Sequence, residues 1–123
     1  MLAAYGDKLG IDHEFALRLA NPFGGGIGKT GETCGAVIGA LMVIGLRYGT
    51  SDPDDEMVNN RVYGLSRKFI EGFRSRNNSL TCRDLLGFDI YTHEKISPDK
   101  RRVIFDLCPK YIHDAAEILE GML

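Results

Sequence analysis

The side chains in this sequence that are best suited to chemistry are its three cysteines, Cys34, Cys82 and Cys108. A cysteine thiolate is both the nucleophile of disulfide exchange and the form that binds soft metals. No two of the cysteines are spaced as Cys-x-x-Cys, so neither a zinc ribbon nor a thioredoxin-type motif is present. An odd number of cysteines argues against a framework of structural disulfides. Three buried, unreactive cysteines are the simplest alternative.

The three cysteines share one predicted position, because each falls at the start of a predicted helix. Cys34 follows a glycine-rich loop, Cys82 follows the capping residue Thr81, and Cys108 directly precedes Pro109. The positive end of a helix dipole and its unpaired N–H groups lower the pKa of a thiol. Positively charged residues also lie close to the cysteines in sequence: Lys29, Arg83 and Lys110. The pattern therefore predicts stabilised thiolates at Cys34, Cys82 and Cys108.

Two kinds of chemistry fit such thiolates. In the first, two cysteines cycle between dithiol and disulfide, which requires their Cα atoms to lie within about 7 Å of each other. In the second, the cysteines converge on a soft metal or an iron–sulfur cluster, which is usually held by four thiolates. Cys34, Cys82 and Cys108 are one ligand short of that number unless water, a histidine or a second subunit completes the set. A third alternative is a non-catalytic helical interaction module, such as a homodimer, in which the cysteines only pack.

The loop from Phe23 to Gly31 resembles a phosphate-binding loop but fails its pattern. A P-loop reads Gly-x-x-x-x-Gly-Lys-Ser/Thr, and Gly28-Lys29-Thr30 supplies only the second half, since Phe23 stands where the first glycine is required. Gly26-x-Gly28-x-x-Gly31 matches the dinucleotide pattern, but no strand and no βαβ unit accompany it. The sequence therefore does not predict nucleotide binding.

A different role for the same loop follows from its backbone. A glycine-rich loop before a helix exposes N–H groups that favour an anion, including a thiolate. The loop is therefore predicted to stabilise Cys34 through Gly24, Gly25, Gly26, Gly28, Lys29, Thr30 and Gly31. The alternative is that the glycines only permit a tight turn with positive φ.

The elements that must position the cysteines are all predicted to be helices. Helical signals precede the loop, with a helix end at Gly10 and a short helix between Asp12 and Pro22. The central helix after the loop is expected to end near Tyr48, and its small residues, of which Gly39 is one, indicate that another helix packs closely on it.

Four further helices are predicted after the central one. The first starts at Asp52, presents the apolar stripe Val58, Val62, Leu65, Phe69 and Phe73, and ends at Asn77-Asn78. A short helix is predicted next. Thr81 can cap its start, Asp84 stands three positions later as in a capping box, and Gly87 ends it. Ser97-Pro98 opens a short basic helix, and a separate last helix begins at Pro109. The prediction is a single all-α domain over residues 1–123, a bundle of about five to six helices.

Composition narrows the class of protein. The formal net charge of −2 gives no electrostatic case for nucleic acid binding. The longest nearly apolar run, Cys34 to Leu46, is shorter than the roughly 20 residues that a membrane-spanning helix needs. No signal peptide pattern stands at the start, so the protein is expected in the cytoplasm. The histidines, His13, His93 and His113, lack metal-motif spacing to a cysteine and are interpreted as surface or capping residues.

The stretch FGGGIGKTGETCGAVIGALMVIGLRYG resembles the C-GCAxxG-C-C family, described as redox-active proteins. The resemblance continues through FRSRNNSLTCRDLLG and CPKYIHDAAEIL, and so covers most of the chain. Its most specific part is Cys34-Gly35-Ala36-x-x-Gly39 behind the glycine loop. The resemblance implies a small helical prokaryotic protein, often encoded near transporter genes, with redox-active cysteines and an unidentified redox partner.

The family pattern has four cysteines, and Cys34, Cys82 and Cys108 match the last three. The first would fall just upstream of Met1, before the stretch LAAYGDKLGID. Either the natural start lies further upstream or this member lacks that cysteine. Without it, a four-thiolate cluster is incomplete and one thiol is unpaired in any pairwise scheme.

Overall fold

The computed structural model describes residues 1–90 and 96–123. Within these residues the chain forms helices and no β-strand, which confirms the all-α prediction. The α-helices are α1 (Leu2–Gly6), α2 (His13–Ala20), α3 (Gly35–Tyr48), α4 (Glu56–Asn77), α5 (Cys82–Leu86) and α6 (Pro98–Glu120). In this described part of the chain, no helix has both the length and the apolar character needed to cross a membrane.

The main core lies where α3, α4 and α6 pack together. The predicted stripe of α4 faces this core: Phe69 and Phe73 are fully buried, and their ring centroids lie 6.3 Å apart. Val43 of α3 and Leu119 of α6 complete the centre of the cluster. Burial of a large apolar side chain contributes roughly 1.5–3 kcal/mol, so this region is the principal source of stability.

Helix α1 packs closely against the central helix α3, as the sequence indicated from Gly39. A Cβ atom added at Gly39 would lie 2.7 Å from the Cβ of Met1 and 3.5 Å from the backbone nitrogen of Leu2. The close approach is therefore helix against helix, and it brings the start of the chain beside the N-terminal half of α3.

The predicted ends of the first helices are largely confirmed. The Asp12 carboxylate accepts a hydrogen bond from Phe15 N–H at 3.1 Å, and Gly10 has φ of +91°. The prediction for α4 was wrong by three residues. Asp52 accepts from Asp54 N–H at 2.9 Å inside a preceding turn, and Asp55 caps the helix by accepting from Val58 N–H.

The prediction of two separate C-terminal helices was wrong. Ser97 accepts from Lys100 N–H at 3.3 Å, and a single helix then runs from Pro98 to Glu120 with Pro109 inside it. Proline removes one helical hydrogen bond but does not force a helix to end when both flanks are helical. Cys108 consequently lies in the middle of α6 and not at a helix N-terminus. The alternation in residues 88–97 is too brief to predict a strand, and residues 91–95 lie outside the described residues.

Candidate thiol site

The glycine-rich loop has a left-handed backbone over most of its length. The φ angles of five consecutive residues, from Gly25 to Lys29, lie between +61° and +70°, and Gly31 follows at +75°. Ile27 and Lys29 are not glycines, and a β-branched residue such as Ile27 is rarely found at positive φ. Such conformations cost about 1–3 kcal/mol each unless the surrounding contacts hold them.

The loop uses most of its own N–H groups internally. Gly28 N–H donates to Pro22 O at 2.7 Å, Lys29 N–H to Gly24 O at 3.0 Å, and Gly31 N–H to Gly25 O at 3.2 Å. The Thr30 hydroxyl donates to the carbonyls of Gly26 and Ile27, and Thr30 N–H also donates to Ile27 O.

These internal bonds correct the predicted role of part of the loop. The amides of Gly28, Lys29, Thr30 and Gly31 close the loop on itself instead of facing Cys34. The N-cap position of α3 is occupied by Cys34. Gly24, Gly25, Gly26 and Lys29 nevertheless lie beside Cys34, since they line the same cavity.

Backbone hydrogen bonds fasten the end of the loop to the start of α5. Cys34 N–H donates to Leu80 O at 2.8 Å, and Cys82 N–H donates to Glu32 O at 2.6 Å. Thr33 and Thr81 form an isolated antiparallel bridge between these two bonds. Neighbouring residues of a β-type pair point to opposite sides, so Cys34 and Cys82 share the side opposite Thr33 and Thr81.

Arg83 strengthens the same junction. Its guanidinium donates to Gly31 O at 3.3 Å, to Thr30 O at 3.0 Å and to the Glu32 carboxylate at 2.9 Å. The sequence singled out Arg83 as a charge near Cys82. The structure shows it as a clamp on the loop, a role that only the distant pairing of residues 30–32 with residue 83 could reveal.

Gly26 allows the loop to approach Cys82 very closely. A Cβ atom at Gly26 would lie 2.6 Å from the Cβ of Cys82 and 2.6 Å from Glu32 O, and Gly26 has φ of +70°. No larger residue fits there without moving one of these groups. The glycine thus determines how near Cys82 lies to the loop.

All three predicted cysteines line one cavity of about 400 Å³. Cys34 comes from the start of α3, Cys82 from α5 and Cys108 from the middle of α6. Cys82 is buried, with 8% of its surface exposed, whereas Cys34 and Cys108 are half-buried, and all three are free thiols. The structure therefore brings together residues that are 48 and 26 positions apart in the chain.

Tyr111 belongs to the same site and was not singled out from the sequence. It lines the cavity, and its buried hydroxyl donates to Leu85 O at 2.6 Å, which connects α6 to α5. Tyr111 stands three residues after Cys108, the spacing of neighbours on one helix face. That signal was hidden by the prediction of a helix boundary at Pro109.

The electrostatics of the site contradict the prediction of stabilised thiolates. Burial, and to a smaller extent the neighbouring charges of Cys34 and Cys108, raise the pKa of Cys82 to about 11. Burial, followed by the charge of Cys34, also raises the pKa of Cys108. At Cys34 burial again raises the pKa, and it outweighs the N–H groups of Ala36 and Val37, which lower it. Desolvation therefore exceeds the effect of the helix dipole.

Two of the three positively charged residues that were predicted to stabilise the thiolates, Lys110 and Arg83, bind other groups instead. Lys110 donates to Asn77 Oδ1 at 2.6 Å and to Asp114 at 2.9 Å, and Arg83 clamps the loop. Lys29 lines the cavity from its exposed rim. The thiols thus lie in an apolar setting with one lysine at its edge.

The histidines lie away from the thiols as far as the structure describes them. His13 is the exposed first residue of α2, and His113 pairs with Glu117 at 2.6 Å on the surface of α6. His93 falls in the segment 91–95, outside the described residues. In residues 1–90 and 96–123, no group of three histidine, cysteine or acidic side chains is arranged to hold a metal ion.

An all-α domain with three free cysteines around one apolar cavity defines a small helical thiol protein. The chain belongs to the family described as "Putative redox-active protein (C_GCAxxG_C_C)", whose model matches residues 1–122. No curated protein and no solved structure matches the chain. Membership confirms the resemblance drawn from the Cys34-Gly35-Ala36-x-x-Gly39 signature.

Proposed function

We propose that the protein is a cytoplasmic thiol-redox protein that cycles between a dithiol and an internal disulfide. The observation that carries this proposal is the convergence of Cys34, Cys82 and Cys108 on one cavity. Cysteines that served only to fill the core would have no reason to meet, since a free cysteine packs as a small apolar side chain anywhere. The family description as redox-active supports the same chemistry.

Cys34 is the common member of the proposed disulfides. Cys34 is close enough to Cys82 and Cys108 for its charge to raise the pKa of both, and the charge of Cys108 also raises the pKa of Cys82. It is also more exposed than Cys82, so an oxidised substrate reaches it more easily. Cys34 is therefore the attacking thiol in this proposal, and Cys82 or Cys108 is the resolving thiol.

The pairing of Cys34 with Cys82 requires a small backbone adjustment. The hydrogen bonds place Cys34 opposite Leu80, so Cys82 is its diagonal neighbour. Diagonal neighbours in an antiparallel pair have Cα atoms about 7–8 Å apart, whereas disulfides span at most about 7 Å. The two backbones must therefore approach each other slightly for this disulfide to form.

The reaction is a two-electron exchange. The Cys34 thiol loses its proton, and its sulfur attacks one sulfur of a substrate disulfide, which releases the first substrate thiol. The resolving cysteine loses its proton and attacks the Cys34 sulfur, which releases the second substrate thiol and leaves the internal disulfide. Two protein thiols are oxidised and one substrate disulfide is reduced.

The raised pKa values set the direction of this exchange. A strongly oxidising dithiol is one whose reduced form is stabilised as a thiolate. Here burial disfavours the thiolates of Cys34, Cys82 and Cys108, so the reduced form lacks that stabilisation. The protein is accordingly proposed to act as a reductant.

A redox titration tests the proposal. The purified protein is equilibrated anaerobically in buffers of oxidised and reduced dithiothreitol, and free thiols are counted after acid quenching. The expected result is a two-electron transition from three free thiols to one. A count that stays at three in every buffer would overturn the proposal. Elemental analysis of anaerobically purified protein covers the metal alternative, which a stoichiometric soft metal on the cysteines would favour.

A further inference from the structure

We infer that the cavity beside the cysteines is a binding site for a small, uncharged, apolar disulfide, which the protein reduces. The inference rests on the proposed thiol-redox function and adds the chemical class of the substrate. The site is the cavity of about 400 Å³ that Cys34, Cys82 and Cys108 line.

The size of the cavity suits a small molecule. Pockets that hold small ligands measure about 300–1,000 Å³, and this cavity lies at the lower end of that range. Pockets of this size bury most of the surface of a small ligand. The whole substrate, with its sulfur atoms and the groups attached to them, is therefore expected to fit inside the cavity.

The lining of the cavity selects an apolar ligand. Side chains from separate elements supply its walls: Phe23, Ile38, Met42, Leu86, Ile104 and Ile112. Among the described residues, Lys29 is the charged side chain that lines it, and Lys29 is exposed at the rim. A polar substrate would lose its hydration in this largely apolar cavity and regain few hydrogen bonds, whereas apolar groups gain from burial.

The position of the thiols within this lining completes the argument. Cys34 and Cys108 are half-buried and belong to different walls of the cavity, α3 and α6. A disulfide bound among the apolar side chains thus meets sulfur atoms inside the cavity and not at the protein surface. The exchange consumes one substrate disulfide and two protein thiols, and it yields two substrate thiols and one protein disulfide, as in the mechanism above.

The test compares two uncharged disulfides on the reduced protein. Dibenzyl disulfide is apolar, and 2-hydroxyethyl disulfide is polar. Each oxidation rate is divided by the rate of N-acetylcysteine with the same disulfide, which removes the difference in intrinsic reactivity. A normalised rate at least about tenfold higher for dibenzyl disulfide, with saturation, is expected from burial of its rings. Equal normalised rates would overturn the inference.

A pair of variants locates the effect. Ile112 lines the cavity and is 49% exposed, so Ile112→Glu places a charge at the cavity with little risk to folding. Leu46 is 39% exposed and lies outside this cavity, which makes Leu46→Glu the matched control. Ile112→Glu should slow the reaction with dibenzyl disulfide about tenfold more than it slows the reaction with 2-hydroxyethyl disulfide. An equal loss in Leu46→Glu would contradict the assignment.

A redox-inert ligand separates this inference from the proposed function. Dibenzyl sulfide has the same apolar groups but no sulfur–sulfur bond, and its binding to the reduced protein is measured by calorimetry. Binding that Ile112→Glu weakens supports the apolar site, and absence of binding overturns it even if the thiols oxidise normally. If dibenzyl sulfide binds but no oxidant forms an internal disulfide, the cavity is an apolar site and both the disulfide substrate and the proposed function are wrong.

Discussion

The two hydrophobic clusters of this protein are built in opposite ways. The larger cluster is filled by side chains of regular helices, with Phe69 and Phe73 stacked at its centre. The smaller cluster, around Cys82, Leu86 and Ile90, adjoins a cavity and is held in place by backbone bonds from a left-handed loop. The first arrangement maximises packing, and the second leaves room beside reactive groups.

The cysteines lie at the boundary between these clusters. Cys34 packs against the larger cluster, Cys82 belongs to the smaller one, and Cys108 packs against the smaller one. Leu107 contacts both. The site is therefore formed where a packed helical core meets a loop that is held by hydrogen bonds.

The largest effect is expected in the larger cluster. Phe69 is 0% exposed, so Phe69→Ala should lower the free energy of unfolding by about 3–5 kcal/mol. Urea unfolding measures this change. Met57 lies in the first turn of the same helix, α4, but is 84% exposed. Met57→Ala should therefore change the free energy of unfolding by less than about 0.5 kcal/mol. Similar losses in both variants would contradict the view that the Phe69 cluster supplies the stability.

The second effect concerns the junction of the loop and Cys82. Gly26→Ala forces a Cβ atom against Cys82 and Glu32 at positive φ, so a loss of about 1–3 kcal/mol is expected, together with faster alkylation of Cys82 by iodoacetamide. Gly45 in α3 has open space around its Cβ position, so Gly45→Ala should stabilise the protein by up to about 1 kcal/mol. Unchanged Cys82 alkylation in Gly26→Ala would show that the loop does not control this thiol.

The third effect is a dependence of stability on high pH. The pKa of Cys82 is raised from 9.0 to about 11 by burial and, to a smaller extent, by the charges of Cys34 and Cys108. A raised pKa in the folded state gives stability that is complete below pH 9 and is lost as the pH rises toward 11. Between pH 9 and 11 the free energy of unfolding of the wild type should fall by on the order of 2 kcal/mol more than that of Cys82→Ala. Parallel pH profiles of the two proteins, measured by urea unfolding, would show that Cys82 is not desolvated.

The smallest effect is expected at Tyr111. Tyr111→Phe removes the hydrogen bond to Leu85 O and leaves that carbonyl without its partner, which should cost about 1–2 kcal/mol. Because the bond joins α6 to α5, the exchange of the Leu85 region measured by hydrogen–deuterium exchange should increase. Tyr63 is exposed, and Tyr63→Phe is the matched control that should leave both quantities unchanged.

Much of the fold could be predicted because local signals agree with the final packing. The cap at Asp12, the stripe through Phe69 and Phe73 and the close approach at Gly39 each depend on residues near in sequence or on a simple helical period. The break predicted at Pro109 was wrong because tertiary packing of α6 holds both sides of the proline in one helix.

The site could be predicted only in part. The identity of the cysteines followed from residue type, whereas the sign of their pKa shifts did not, because burial of Cys82 depends on contacts between residues 26 and 82. The clamp by Arg83 and the bond from Tyr111 to Leu85 likewise join distant segments. Such long-range pairs leave no pattern in a single sequence.

Mapping of the internal disulfide tests the central claim most directly. The reduced protein is oxidised with a limiting amount of disulfide, trapped by acid and alkylation, and digested for mass spectrometry, alongside Cys34→Ser, Cys82→Ser and Cys108→Ser variants. The expected result is that every internal disulfide contains Cys34, that either single loss of Cys82 or Cys108 leaves one disulfide possible, and that Cys34→Ser forms none. A dominant Cys82–Cys108 disulfide, or no internal disulfide in the wild type, would contradict the account.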